Sequence, residues 1–197
     1  METVLGYRPE HISAYALTIE EDTPFGRQGV LTDDDLQAEM YLWTHERLLG
    51  EGYEHYEISN FAKPGWECLH NRSYWEDLDF LGVGLSAASS IEGTRWKNVS
   101  GLKAYMERVL RGLSPTEGWE RLEGATKIAE RTILNLRLKE GIPEDSPGGG
   151  MFESLLARYT RYGHLTRGGG RWKPTPQGWL LSNQLFSEIL LAAEAAP

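Results

Sequence analysis

The stretch "HISAYALTIE", residues 11–20 of the 197-residue chain, decides how the first half folds. In an extended chain Ile12, Ala14 and Ala16 fall on one face, and Ser13, Tyr15 and Leu17 on the other. Both faces are therefore largely apolar until Thr18, the pattern of a strand covered on both sides, which in mixed proteins is a buried parallel strand. Pro24, Gly26 and Gly29 in the following "EEDTPFGRQG" make a loop leaving its carboxyl end.

Outward from this strand, "TDDDLQAEMYLWTHERLLGEG" predicts a helix with Thr32 as N-cap and acidic residues in its first turn. Leu36, Met40, Trp43 and Leu48 mark its apolar positions, and Gly50 its end. Tyr53 to Ser59 reads as a strand broken by "FAKPG". A short helix over Glu67 to Trp75 follows the Pro64-Gly65 turn. "DFLGVGLSAASSIEG" reads as an apolar segment entering a loop, "RWKNV" as a strand, and Gly101 to Arg111 as a helix striped by Leu102, Tyr105, Val109 and Leu110. After "GLSPTEG" the character changes. A helix over Glu120 to Lys139 precedes a Pro- and Gly-rich break, "GIPEDSPGGG"; then come a helix over Met151 to Tyr162, two short strands around a glycine turn, and a helix over Trp179 to Ala193. That order is winged-helix-like. The expected units are 1–113 and 118–197.

Composition removes several classes of function. With 20 basic and 29 acidic residues the formal charge is -9, so the chain carries no basic footprint for nucleic acid, although Arg158, Arg161, Arg167, Arg171 and Lys173 cluster in the winged segment. No apolar run reaches the roughly 20 residues that span a bilayer, and no signal-peptide pattern opens the chain. One cysteine excludes an internal disulfide and fits a reducing cytoplasm. It also excludes an ordinary iron-sulfur site, which takes three or four thiolates.

That cysteine lies in "ECLHNRSYW", residues 67–75. At helical spacing His70 and Tyr74 share a face, and Asn71 and Trp75 another. Cys68 and His70 diverge by about 200 degrees and do not face one iron together. On these residues alone the segment reads as packed core, because a lone histidine is weak support for a metal ligand.

"HISAYALTIEEDTPFGRQG", "YEISNFAKPGWECLHNRSYW" and "FLGVGLSAASS", in this order, resemble the carboxyl-terminal half of the radical SAM family of oxygen-independent coproporphyrinogen oxidase-like proteins, and within it the haem chaperone branch. The resemblance covers nearly the whole chain. It implies an α/β fold: the carboxyl-terminal part of an open (β/α) barrel followed by a small, mostly helical, winged-helix-like domain. In such proteins a Cys-x-x-x-Cys-x-x-Cys motif holds a [4Fe-4S] cluster to which S-adenosylmethionine binds. This chain has no such motif, so it is expected to begin inside the barrel, to be inactive alone in radical chemistry, and to oligomerise through an exposed barrel edge.

The resemblance also implies site residues. "HNRSYW" matches the branch's His-Asn-x-x-Tyr-Trp pattern, implicated in haem binding, which makes His70 a candidate iron ligand with Asn71, Tyr74 and Trp75 around the haem. Thr18 and Glu20, at the carboxyl end of the predicted barrel strand, would face the S-adenosylmethionine pocket. Ala88 departs from the pattern by standing where relatives commonly have histidine. The expected function is cytoplasmic haem binding for transfer to an acceptor protein. The alternative is an oxidative decarboxylation of coproporphyrinogen.

Overall fold

A computed structural model of the chain describes residues 1–196. In chain order it contains α1 (Glu2–Gly6), β1 (His11–Ser13), α2 (Pro24–Arg27), α3 (Asp34–Gly50), β2 (Glu54–Glu57), β3 (Asn60–Ala62), α4 (Leu69–Trp75), β4 (Ala88–Ile91), β5 (Thr94–Asn98), α5 (Leu102–Leu110) and β6 (Thr116–Arg121). There follow α6 (Gly124–Asn135), β7 (Ile142–Pro143), α7 (Pro147–Met151), α8 (Glu153–Arg161), β8 (Leu165–Gly168), β9 (Arg171–Pro174), α9 (Pro176–Leu180) and α10 (Ser182–Glu194). The strands form three sheets of three, ordered β1-β3-β2, β4-β5-β6 and β7-β9-β8, and every pairing between these strands is antiparallel.

The decisive stretch is therefore shorter than its pattern predicts, and it pairs the other way. Only His11–Ser13 is strand, and it pairs antiparallel with β3. Ala14 N–H still donates to Ser59 O at 2.8 Å, but beyond that point no strand lies alongside, and Tyr15 and Leu17 stand 72% and 56% exposed. Alternating apolar residues extend a strand only where neighbours accept its backbone groups and cover both faces. β3 itself occupies Phe61 and Ala62, which the sequence pattern assigns to a break; the turn lies earlier, at Ile58–Ser59.

Asp33, one residue beyond the expected Thr32, N-caps α3, and its Oδ1 accepts from Leu36 N–H at 3.0 Å. Leu48 is fully buried with Ile12, Tyr53 and Phe61 in a first core, but Leu36, Met40 and Trp43 on the same helix are exposed.

A second, larger core lies in the chain after Arg121. Ala129 and Leu136 from the α6 region meet Leu156, Tyr159, Leu165, Trp172 and the α10 residues Leu185 and Ile189. The predicted "SPGGG" break is helical: Ser146 Oγ caps α7 by accepting from Gly149 N–H, and Pro147 occupies the first turn, where its missing N–H costs nothing. A Cβ at Gly148 would lie 1.9 Å from Thr132 Oγ1, so this glycine serves close packing of α7 on α6. β6 straddles the expected start of the second unit at residue 118 and completes the sheet of β4 and β5, so the helix predicted from Glu120 begins at Gly124. The two cores meet where Trp179 Nε1 donates to Leu136 O at 3.2 Å and the same indole packs on His55, 4.5 Å between ring centres.

Candidate functional site

α4 follows the turn around Gly65, which has a φ of 82°. Cys68 stands at its N-cap without a side-chain cap bond, and its N–H reaches the Tyr56 hydroxyl at 3.4 Å. Ion pairs anchor the helix on the inner side. Arg72 bridges Glu67 at 2.6 Å, Glu76 at 2.7 Å and Glu140 at 3.5 Å, while Lys139 bonds Glu54 and Glu67. Asn135 Nδ2 donates to Trp75 O at 2.8 Å. These contacts fix which face of α4 looks outward.

That outer face carries His70, which is exposed. Its ring meets the Tyr74 ring edge-on at 4.8 Å and 77°, and Tyr74 in turn meets Phe80 edge-on at 4.5 Å. The i, i+4 pairing expected from the sequence is thus realised. Tyr74 and Trp75 line a cleft of about 650 Å³ between the end of α4, the β4–β6 sheet and α6. Phe80, Trp96, Trp119 and Leu134 make the cleft apolar, and its volume lies in the range typical of small-molecule sites. Its charged rim bears Asp77, Glu117, Glu120 and Glu130 against Arg95 and Lys97, and Arg95 is already paired with Glu120 and Glu130. The cleft is therefore aromatic with an acidic excess. Ala88 lies on its wall.

Thr18 and Glu20 stand in irregular chain and both are exposed, so they do not end a barrel strand. They are not part of the α4 cleft. Cys68 is half-buried. Among the described residues no three His, Cys, Asp or Glu side chains converge as metal ligands, so the side chains present do not fit a cluster. In the winged segment Arg158 pairs with Glu188, Arg167 with Glu144, and Arg171 donates to the Glu140 and Gly141 carbonyls. Those three arginines are tied within the fold rather than presented as a free basic surface.

Sequence reasoning missed a polar network behind α4. Glu57, 1% exposed, accepts from Ser59 N–H at 2.9 Å and from Asn60 Nδ2, while Ser13 Oγ donates to Asn60 Oδ1 at 2.5 Å. His11 Nε2 lies 2.9 Å from the Tyr56 hydroxyl; burial lowers the His11 pKa and raises that of Tyr56. A second missed feature is the pair His45–His55, with Nδ1 atoms 2.9 Å apart. Burial pushes His55 down to about 3. Periodicity gives no sign of either, since the partners lie on different elements.

The fold is that of a radical SAM enzyme in part. The chain superposes on coproporphyrinogen III oxidase (HemN) from Escherichia coli with a TM-score of 0.73 over 95% of this chain and 49% of that one, at 20% identity. In sequence it is similar to proteins named haem chaperone HemW. The identity is 34% over 186 residues in Mycobacterium tuberculosis, 32% over 203 in Bacillus subtilis and 33% over 191 in Escherichia coli. These alignments cover 92%, 96% and 93% of this chain and 47%, 53% and 50% of the relatives. The chain is thus similar in sequence to proteins named haem chaperone and in fold to a coproporphyrinogen oxidase described as a radical SAM enzyme. It spans about half the length of the relatives it matches. No family model matches it. Among the described residues no helix is long and apolar enough to cross a membrane.

Proposed function

We propose that this chain is the haem-holding part of a haem chaperone, with haem as cargo for an acceptor protein in the cytoplasm. The observation that carries the proposal is the placement of His70: exposed and edge-on to Tyr74, which with Trp75 walls an aromatic cleft that His70 itself does not line. A neutral imidazole ligates haem iron through one ring nitrogen, and the aromatic walls of Tyr74, Trp75 and Phe80 suit a flat apolar macrocycle. Asn71, on the face it shares with Trp75, stays a proposed haem contact on the resemblance alone. The names of the relatives favour this reading over coproporphyrinogen oxidation, since the oxidase likeness is one of fold.

S-adenosylmethionine and a [4Fe-4S] cluster belong to this reading only through the longer family fold. Thr18 and Glu20 remain proposed contacts for S-adenosylmethionine on the resemblance alone, because the strand end that would have aimed them does not form. No chemical step is derived through the cluster. The two-unit organisation, 1–113 and 118–197, is likewise proposed; β6 spans the start of the second unit.

Titration with ferric haem, followed by absorption, tests the proposal. The unaltered chain is expected to give a saturable spectral shift, and His70→Ala to weaken it at least about tenfold. Equal affinity and equal spectra for the two proteins would remove His70 from the site.

A further inference from the structure

Four basic side chains around α4 have carboxylate partners, and a fifth, Arg137, has none among the described residues. Arg72 and Lys139 share Glu67, Lys127 pairs with Asp77 at 2.8 Å and with Glu130 at 2.8 Å, and Arg95 pairs with Glu120. The Arg137 guanidinium instead lies over the Trp75 ring, 4.1 Å from its centre, and among the described residues its side chain makes no hydrogen bond or ion pair. Arg137 Nε is shielded from solvent without an acceptor, and so is Trp75 Nε1. Two orphaned donors thus belong to one stacked pair. Such groups are uncommon in folded proteins, because each costs the water it gave up and gains nothing in return.

Nothing within the chain is placed to relieve them. The nearest acidic influence on Arg137 is Glu57, which lies beyond ion-pair distance and already accepts from Ser59 and Asn60. Burial lowers the Arg137 pKa, as expected of a cation short of a counter-charge, yet guanidinium stays charged at neutral pH. Arg137 as a residue is only partly buried. Guanidinium stacked on an aromatic face keeps its planar edge for bidentate pairing with a carboxylate.

We infer that Arg137, braced against Trp75, anchors a carboxylate of the bound porphyrin. The inference rests on the haem reading above and deepens it. A porphyrin cargo carries acidic side chains, and the α4 cleft, with its excess of carboxylates, repels them. Arg137 stands behind Trp75, one of the cleft walls, and adds a positive charge to a lining whose own cations are Arg95, already paired, and Lys97. Arg137 is a positioning residue for the macrocycle and takes no part in iron ligation.

The test is a titration of the full chain and of Arg137→Gln and Arg137→Lys with two probes: ferric protoporphyrin and its dimethyl ester, each delivered from the same detergent. The unaltered chain should prefer the diacid by about tenfold or more. Arg137→Gln should lose most of that preference while binding the ester as the unaltered chain does, and Arg137→Lys should keep part of it. If the unaltered chain binds diacid and ester equally, the inference is overturned without any variant. If Arg137→Gln weakens both probes alike, Arg137 only supports Trp75 and the inference fails while the haem reading stands. Absence of binding of either probe to the unaltered chain overturns the haem reading itself, and this inference with it.

Discussion

Acidification should loosen the junction between the two cores through one histidine. His55 is 5% exposed, stacks on Phe61 at 3.9 Å, and packs against Trp179, whose indole N–H donates to Leu136 O in the second core. Its Nε2–H donates to Ile58 O at 3.1 Å, so its Nδ1 is the acceptor and His45 Nδ1–H the donor of the 2.9 Å bond between the rings. Protonation would place two N–H groups face to face. Burial, opposed by the bond to Ile58 O and aided by His45, holds the folded pKa near 3 against an ordinary 6.5. Burial lowers His45 as well, so it acts in the same direction, and Glu46 opposes it.

The sign follows from proton binding. Between 6.5 and about 3 the unfolded chain binds the proton and the folded chain does not, so stability is full above the unfolded value and falls as pH drops through that window. At pH 5 the loss from His55 alone is about 2 kcal/mol. Urea unfolding of the unaltered chain and of His55→Phe at pH 7.5 and pH 5 measures it. The phenylalanine keeps the ring stacking and cannot titrate; its loss of the bonds to Ile58 O and His45 should cost about 1–2 kcal/mol at pH 7.5. Its further loss on going to pH 5 should then be about 2 kcal/mol smaller than that of the unaltered chain. Equal losses in the two proteins would refute the reasoning.

Two local predictions accompany this one. Asp33→Ala removes the acceptor for Leu36 N–H and should cost about 1 kcal/mol in a denaturant melt, with Asp33→Asn close to neutral. Gly178→Ala would set a Cβ 1.8 Å from the His164 carbonyl oxygen, and a loss of about 3 kcal/mol or a failure to fold is expected by thermal melt and circular dichroism.

Local chemistry made much of this fold legible. The period of α5 and the start of α3 could be read to within a residue or so, because capping and helical spacing act over one or two turns. The pairing of His70 with Tyr74 was readable for the same reason. "HISAYALTIE" misled because its apolar alternation records surfaces that suit coverage, while Tyr15 and Leu17 stay exposed and, with the exposed Leu36 and Met40, line an open groove instead of a core. The glycines of α7 misled because propensity hid a packing demand set by Thr132 on another helix. The walls Trp96 and Trp119, the stacking of Arg137 on Trp75 and the contact of His55 with Trp179 join residues far apart in sequence, and no spacing announces them.

The central claim is that His70 ligates the iron of haem held on α4. The most direct measurement is the resonance Raman spectrum of the ferrous haem complex, in the region of the iron–imidazole stretch, for the unaltered chain and for His70→Ala. The band should be present in the first and absent in the second. The same band in both, or its absence from both, would contradict the assignment.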